Sequence, residues 1–400
     1  MHIALISDAY PPMKTSAAVQ MFDLAAALSL LDAQVTVVIP DHEAGAGSAS
    51  TSTDSGVTVV RVPCPKTKDR AYATRMATEW IVPYLMKREL DRQGLLLGEL
   101  DGVVWYSPSI FFGPLVGALK KANGCPAYLI LRDIFPQWAL DMGILKPGFA
   151  SWGLSKVAEA QYRQADVIGV QSAGNLAFFP HPRVSGQRVE VLNNWVRVRS
   201  TGGDGIDLTG TALAGRKLLI YTGNMGVAQG ADIVLRLAEE LQNRCDIGIL
   251  MVGRGSEANR LAGEAAVRNL DNLLFHPEVD PGRIPDILAQ GIAGLVLLDP
   301  RHRSQNIPGK AVSYLSHGLP TLAVVDVHSD LANLIRSNSV GCVLDPDQPL
   351  GPAAEAFLDQ VATDNDASSR CRALADRLFS PEGAARQIMD GLQQASCSNI

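Results

Sequence analysis

The chain has 400 residues, of which 47% are hydrophobic and 19% charged, with 36 Gly, 23 Pro and a formal net charge of −6. This excludes a disordered or fibrous protein, and it excludes a general nucleic-acid binder, which needs a broad cationic surface. At roughly 100–200 residues per domain the length predicts two domains with substantial cores.

Charge is unevenly spread. Residues 1–200 carry 19 Lys/Arg against 17 Asp/Glu, a balance of +2, whereas residues 201–400 carry 16 against 24, a balance of −8. The six cysteines are scattered with no C-x-x-C pair, which excludes a zinc ribbon and makes a disulfide framework unexpected. The opening residues lack a basic leader followed by an apolar stretch and cleavage site. No run reaches the roughly 18 apolar residues that span a bilayer, so a cytoplasmic protein is expected.

In chain order, His2–Ser7 reads as a buried strand that Pro11 and Pro12 terminate. A helix with Val19, Phe22, Leu24, Ala25 and Leu28 on one face follows, then a strand at Gln34–Ile39. Residues 42–56, rich in Ala, Gly, Ser and Thr, read as a flexible loop. The strand–helix alternation continues with Val57–Val62, a long helix from about Ala71 to Leu97, Gly102–Tyr106, Phe111–Ala122, Ala127–Leu131, Trp152–Gln164 and Val167–Val170. Val189–Leu192 is a short strand. The aperiodic, glycine-rich stretch 199–215 reads as a link.

The rhythm then restarts. Strands are predicted at Lys217–Tyr221, Ile247–Val252, Asn272–Phe275, Gly294–Leu298, Thr321–Val325 and Gly341–Leu344, with helices between them and helical segments over 350–396. Strands that are apolar throughout belong to parallel sheets covered on both faces. The expected architecture is therefore α/β, with two doubly wound domains, at 1–198 and 216–379, facing a cleft, and a last helix at 380–400 that packs back on the first. Ligands of such sheets bind beyond the carboxyl ends of the strands.

Three loops of the second half stand at those ends. Thr222–Gly230 places Gly223, Gly226 and Gly230 between a strand and a helix, a pattern suited either to phosphate on backbone N–H groups or to a plain tight turn. Gly253-Arg254-Gly255 repeats that logic after the next strand. Asp299–Lys310 brings Arg301, His302, Arg303 and Lys310 together with the amides of Gln305 and Asn306, a plausible edge for a diphosphate or for hydroxyls. Asp345-Pro346-Asp347 has the spelling of an acidic metal motif but reads better as a turn.

The run Ile307-Pro308-Gly309-Lys310-Ala311-Val312-Ser313-Tyr314-Leu315-Ser316-His317-Gly318-Leu319-Pro320 resembles the P-S-K-x-x-E-Y-x-x-x-G-x-P segment of family-4-type retaining nucleotide-sugar glycosyltransferases. The Tyr10-Pro11-Pro12 loop, the Gly-Asn-x-Gly-x-x-Gln-Gly loop at 223–230 and Val-Gly-x-Gly follow in that family's order. Arg132-Asp133-Ile134-Phe135-Pro136 is similar to an Arg-Asp-x-x-Pro motif of members that build bacterial surface polysaccharides. The resemblance covers nearly the whole chain. It implies the GT-B fold of two Rossmann-like domains, with nucleotide-sugar donor in the C-terminal one and acceptor in the N-terminal one. It also implies retention, no metal and no cofactor beyond the donor as co-substrate.

Carried onto this sequence, it assigns donor binding to Thr15, Ser16, Gly223, Asn224, Gly226, Gln229, Gly253, Arg254, Arg301, Arg303, Asn306 and Ser313. Tyr10, Arg132 and Asp133 fall to the acceptor, and Asp133, Gln305 and Lys310 to catalysis. The family's two glutamates are Gln305 and Ser313 here, and the Arg and Lys of its first glycine loop are Asn224 and Gln229. Lys310, with Arg254, Arg301 or Arg303, is then expected to neutralise the departing diphosphate, and Lys14 to add charge beside Thr15.

Between Arg61 and Arg92 eight cations outnumber four acids, with Trp80, Ile81, Tyr84, Leu85 and Met86 among them. Such a helix suits an anionic membrane, at the inner face of the plasma membrane, or a polyprenyl-linked pyrophosphate; it suits equally a helix solvated on one side and packed on the other. The expected activity is sugar transfer to a saccharide or lipid-linked acceptor. A non-catalytic GT-B partner subunit is the alternative, and a nucleotide-sugar 2-epimerase ranks below it.

Overall fold

The computed structural model describes every residue except 14, 45–46, 55, 68–71, 96–97, 142, 199–201, 227–228, 300–305 and 399–400, and omits the side chains of 72, 73 and 398. The chain divides into two units, Met1–Asn193 with the residues from Pro381 onward, and Asn194–Ser380.

The first unit contains β1 (His2–Ile6), α1 (Ser16–Leu30), β2 (Gln34–Asp41), β3 (Ser50–Asp54), β4 (Val57–Pro63), α2 (Tyr72–Gln93), β5 (Gly102–Ser107) and α3 (Gly113–Asn123). It continues with β6 (Ala127–Leu131), α4 (Gln137–Asp141), α5 (Phe149–Tyr162), β7 (Val167–Val170) and β8 (Arg188–Val191). The sheet order is β3-β4-β2-β1-β5-β6-β7-β8, parallel except for the β3–β4 pair. Val37, Val38, Val103, Val104 and Trp105 are all closed to solvent, as expected of strands buried on both faces. Part of the stretch read as a flexible loop is instead β3. Its five residues, Ser-Thr-Ser-Thr-Asp, are all exposed, so no apolar pattern marks them, yet Thr51 pairs with Val60 and Thr53 with Thr58.

The second unit contains β9 (Lys217–Thr222), α6 (Ile233–Glu240), β10 (Ile247–Val252), α7 (Ala258–Val267), β11 (Leu273–His276), α8 (Ile284–Leu288) and β12 (Gly291–Leu297). After these come α9 (Gly309–Ser316), β13 (Thr321–Val324), α10 (Asp330–Asn338), β14 (Gly341–Leu344), α11 (Gly351–Thr363) and α12 (Ala367–Leu378). Its six strands are all parallel, in the order β11-β10-β9-β12-β13-β14. Read as first to sixth, this is the 3-2-1-4-5-6 order of a Rossmann sheet, whose direction of growth reverses between β9 and β12.

Residues 206–215, within the stretch read as a link, are built into this unit: Ile206 and Leu213 are buried, and the Ile206 N–H donates to Gln290 Oε1 at 2.9 Å. The last helix, α13 (Pro381–Ser398), belongs to the first unit, where Ile388 and Leu392 are fully buried and Gln387 donates to the Val191 carbonyl at 2.8 Å.

Candidate functional site

A reversal of strand order leaves the loops of the two diverging strands splayed apart, which opens a crevice at their carboxyl ends. In the second unit those loops follow β9 and β12, and α9 enters beside them. Two residues one turn apart on α9 grip successive residues of β9. Lys310 Nζ donates to the Tyr221 hydroxyl at 2.6 Å and lies 3.8 Å from the centre of its ring. The Tyr221 hydroxyl in turn donates to the Asn224 carbonyl at 2.6 Å. Tyr314, fully buried, accepts the Thr222 N–H at 2.9 Å and donates to the Leu295 carbonyl of β12 at 3.3 Å.

Burial, with no counter-ion among the described residues, holds the Lys310 ammonium far below the usual lysine range, at about 7. The same burial pushes the Tyr314 hydroxyl up to about 12 and the Tyr221 hydroxyl upward as well, so both stay neutral donors and acceptors. Among the described residues no side chain caps α9; the Ala311 and Val312 N–H groups donate to the Pro308 carbonyl at 2.9 and 3.3 Å, which leaves the N–H groups of Gly309 and Lys310 to face an anion.

The glycine loops are built against each other. The Gly223 N–H donates to the Val252 carbonyl at 2.9 Å and the Met225 N–H to the Arg254 carbonyl at 2.7 Å. A Cβ on Gly253 would fall 1.9 Å from the Gly223 oxygen, and one on Gly255 would fall 2.2 Å from the Met225 oxygen. These two glycines therefore serve the close approach of neighbouring loops. Within the first loop, Gln229 Oε1 accepts from Asn224 Nδ2 at 3.1 Å and from the Gly226 N–H at 3.2 Å, a closed amide clasp where the resembled family has cations.

Arg254 is exposed and ion-paired with Glu278 at 3.1 Å, a contact that solvent screening keeps weak. Ser313 lies on α9 between Lys310 and Tyr314, half-exposed, with its carbonyl facing His317 Nδ1 at 2.8 Å. Asn306 stands just before α9. Arg301, His302, Arg303 and Gln305 lie outside the described residues, as does Lys14. Asp345-Pro346-Asp347 is a turn, its Asp345 carboxylate accepting the Asp347 N–H at 2.9 Å.

In the first unit the reversal lies between β1 and β5, and the predicted acceptor residues sit at the same carboxyl edge. Thr15 caps α1, accepting the Ala18 N–H at 3.3 Å, and Ser16 beside it is exposed. Tyr10 is buried, its ring 6.1 Å from that of Phe22, and burial with the nearby Asp54 raises its hydroxyl to about 12. Arg132, only 5% exposed, donates to the carbonyls of Leu192 at 2.8 Å and Asn193 at 3.4 Å. Burial draws it down to about 10. Arg132 thus braces the backbone of this edge and Tyr10 packs on Phe22, while Asp133 is half-exposed.

Of the cations between 61 and 92, most are engaged. Arg61 donates to the Pro11 carbonyl at 3.1 Å, Lys66 pairs with Glu43 at 3.0 Å, Arg75 with Glu79 at 2.8 Å, Lys87 with Asp91 and Arg92 with Glu89 at 2.8 Å. Lys68 and Arg70 lie outside the described residues. Trp80, Ile81 and Tyr84 of α2 are each about half exposed. Among the described residues, no helix is long and apolar enough to cross a membrane.

Sequence reasoning missed Tyr221 and Tyr314. Both stand in apolar runs and read as core; only the lysine four residues before Tyr314 marks that face of α9 as polar.

No protein-family model matches the chain. Over 318 residues, 73% of this chain and 74% of the relative, it is 23% identical to a protein of Escherichia coli (strain K12) named for colanic acid biosynthesis, the glycosyl transferase WcaI. Among solved structures, sucrose-phosphate synthase of Thermosynechococcus elongatus matches with a TM-score of 0.73 at 15% identity, covering 99% of both chains. An E. coli trehalose-6-phosphate structure bound with UDP-2-fluoro glucose matches at 0.71 and 14% identity, covering 98% and 99%. WaaG, a glycosyltransferase involved in lipopolysaccharide biosynthesis, matches at 0.62 and 15% identity, covering 96% and 98%. These likenesses agree on the fold, two doubly wound parallel-sheet units.

Proposed function

We infer that the chain is a glycosyltransferase of GT-B fold, moving a sugar from a nucleotide-diphosphate donor to a saccharide or lipid-linked acceptor in surface-polysaccharide or glycoconjugate synthesis. The observation that carries this reading is the reversal of strand order in the second sheet, beside which stand a buried lysine, a helix N-terminus that no described side chain caps, and a loop whose Asn224 and Gln229 side chains are closed on each other. A diphosphate brought there gains the ammonium of Lys310 and the Gly309 and Lys310 N–H groups at the start of α9, in a site dry enough for both to count. The colanic acid relative supports the surface-polysaccharide role.

On this reading the second unit binds the donor and the first the acceptor. Leaving of the nucleotide is driven by Lys310, joined by Arg254 once it exchanges Glu278 for phosphate. Asp133 orients the attacking hydroxyl. Transfer proceeds with retention and without a metal or further cofactor, and the protein works on the inner face of the plasma membrane.

A thermal-shift series over nucleoside diphosphates and their sugars tests the donor site. One base raises the melting temperature, and that donor then yields product with acceptor lipid in the presence of EDTA, the anomeric configuration being read by NMR. Absence of stabilisation by every nucleotide overturns the reading.

A further inference from the structure

The first unit holds a cavity of about 830 Å³ between α2, the start of α3 and α5. That is a volume typical of small-molecule sites. Its wall is almost wholly carbon: Met76 and Trp80 from α2, Phe111 before α3, Leu154 and Val157 from α5. The apolar surface does not stop at the mouth. Of the lining residues, Trp80 and Tyr84 are half exposed and Phe149 is 95% exposed, and Ile81 and Trp152 nearby in α2 and α5 are 49% and 63% exposed. Water is a poor partner for a surface of this kind, and a contiguous apolar patch marks something that covers it.

Three polar features break the wall, and each suits an anionic or hydrogen-bonding head. Gln161 lines the cavity with its side chain completely buried, and among the described residues neither its amide oxygen nor its nitrogen has a partner. Leaving both groups unpaired is costly unless a ligand satisfies them. Gly113, packed against Gln161, starts the 11-residue α3, whose N-terminus carries no side-chain cap. Lys156, which lines the cavity and lies 5.8 Å from the centre of the Trp152 ring, has no carboxylate partner among the described residues.

We propose that this cavity binds the hydrocarbon chain of a single-chain anionic amphiphile, an alkyl or isoprenyl phosphate, with Gln161, the α3 N-terminus and Lys156 serving its head. Among the described residues Lys156 is the one charged side chain that lines the cavity, and the interior is apolar, which suits an anionic lipid better than a peptide. The inference deepens the lipid-linked acceptor reading above. Its test reads binding alone, so it can fail while sugar transfer stands.

The probe is farnesyl phosphate, titrated into the full chain by calorimetry and native mass spectrometry, with inorganic phosphate and anionic vesicles as separate arms. The expected result is one farnesyl phosphate per chain and no uptake of inorganic phosphate. Gly153 faces the cavity, and a Cβ built on it meets nothing within 4 Å. Gly153→Phe is therefore expected to fill the space and weaken farnesyl phosphate about tenfold or more without lowering the melting temperature. Ala77→Trp, from the opposite wall, gives the same loss and stands in if the first variant fails to fold. Gln161→Leu weakens farnesyl phosphate more than it weakens farnesol. The proposal is overturned if farnesyl phosphate does not bind or binds both filling variants unchanged. It is overturned equally if only vesicles bind, or if sedimentation shows the patch covered by a second copy of the chain.

Discussion

The ammonium of Lys310 rests on Tyr221, 2.6 Å from its hydroxyl and 3.8 Å from the ring centre, with no carboxylate among the described residues to hold its charge. A lysine so placed is half charged near neutral pH. An arriving diphosphate favours the charged form and raises the pKa, so proton uptake accompanies binding. Nucleotide affinity is therefore expected to be flat below pH 7 and to fall above it, by up to about tenfold per pH unit, until the pKa of the bound state is passed. Calorimetry between pH 6 and 9 in buffers of different ionisation heat reads both slope and proton uptake. The Lys310→Met variant loses this dependence together with most of the affinity.

The same lysine weakens the empty protein. Its folded pKa lies below the value of about 10.4 in an unfolded chain, so the unfolded state binds more protons between pH 7 and 10 and stability rises across that window. Lys310→Met removes this slope and stabilises the ligand-free protein at pH 7 by about 1 kcal/mol or more. Denaturant melts at pH 7 and 10 check it: the two proteins differ most at the lower pH.

Gly253→Ala forces a methyl to within 1.9 Å of a backbone oxygen and must push the two glycine loops apart. A loss of about 2–4 kcal/mol is expected, with nucleotide stabilisation reduced as well. Gly263 sits in α7 with open space around it, and Gly263→Ala gains about 0.5–1 kcal/mol. Urea midpoints of the pair separate crowding from a general intolerance of glycine replacement.

Arg132 stands where the resemblance puts an acceptor-binding arginine, but its guanidinium is spent on the carbonyls of Leu192 and Asn193. Arg132→Ala is expected to cost about 2–3 kcal/mol of stability, through the buried Leu192 carbonyl and the part-buried Asn193 carbonyl left without their donor. The acceptor KM of the folded fraction stays within about twofold, because a brace that bonds only the protein's own backbone makes no contact with the acceptor. A raised KM with unchanged melting would reassign it to the acceptor.

Tyr314→Phe deletes the acceptor of the Thr222 N–H inside the sheet and costs about 1–3 kcal/mol. Its effect on nucleotide affinity is smaller than that of Tyr221→Phe, which frees Lys310 and the Asn224 carbonyl together. Paired melts and titrations rank the two.

Much of the architecture was legible because runs such as Val35–Ile39 and Leu218–Tyr221 are apolar on both faces, which only a covered parallel sheet explains. β3 was not, since an edge strand of exposed Ser and Thr has no apolar period to detect. The loops after β9, β10 and β12 announced themselves by glycine and charge. What spacing could not tell is direction: Gly253 and Gly255 meet backbone, the Asn224 and Gln229 side chains meet each other, and Arg132 turns inward. Tyr221 was invisible for the opposite reason, its single polar atom lying at the end of a strand otherwise made for the core.

The return of α13 to the first unit sets the order in which that unit can be finished. During synthesis the eight strands up to Val191 emerge first, but the helix that covers them is nearly two hundred residues away, behind an entire second α/β unit. Until it arrives, the places taken by Ile388 and Leu392 are open and oily, so a nascent or truncated chain ending near residue 193 would need a chaperone or would aggregate. Cutting the two halves into separate expression products is therefore viable only if residues 381–398 are supplied with the first.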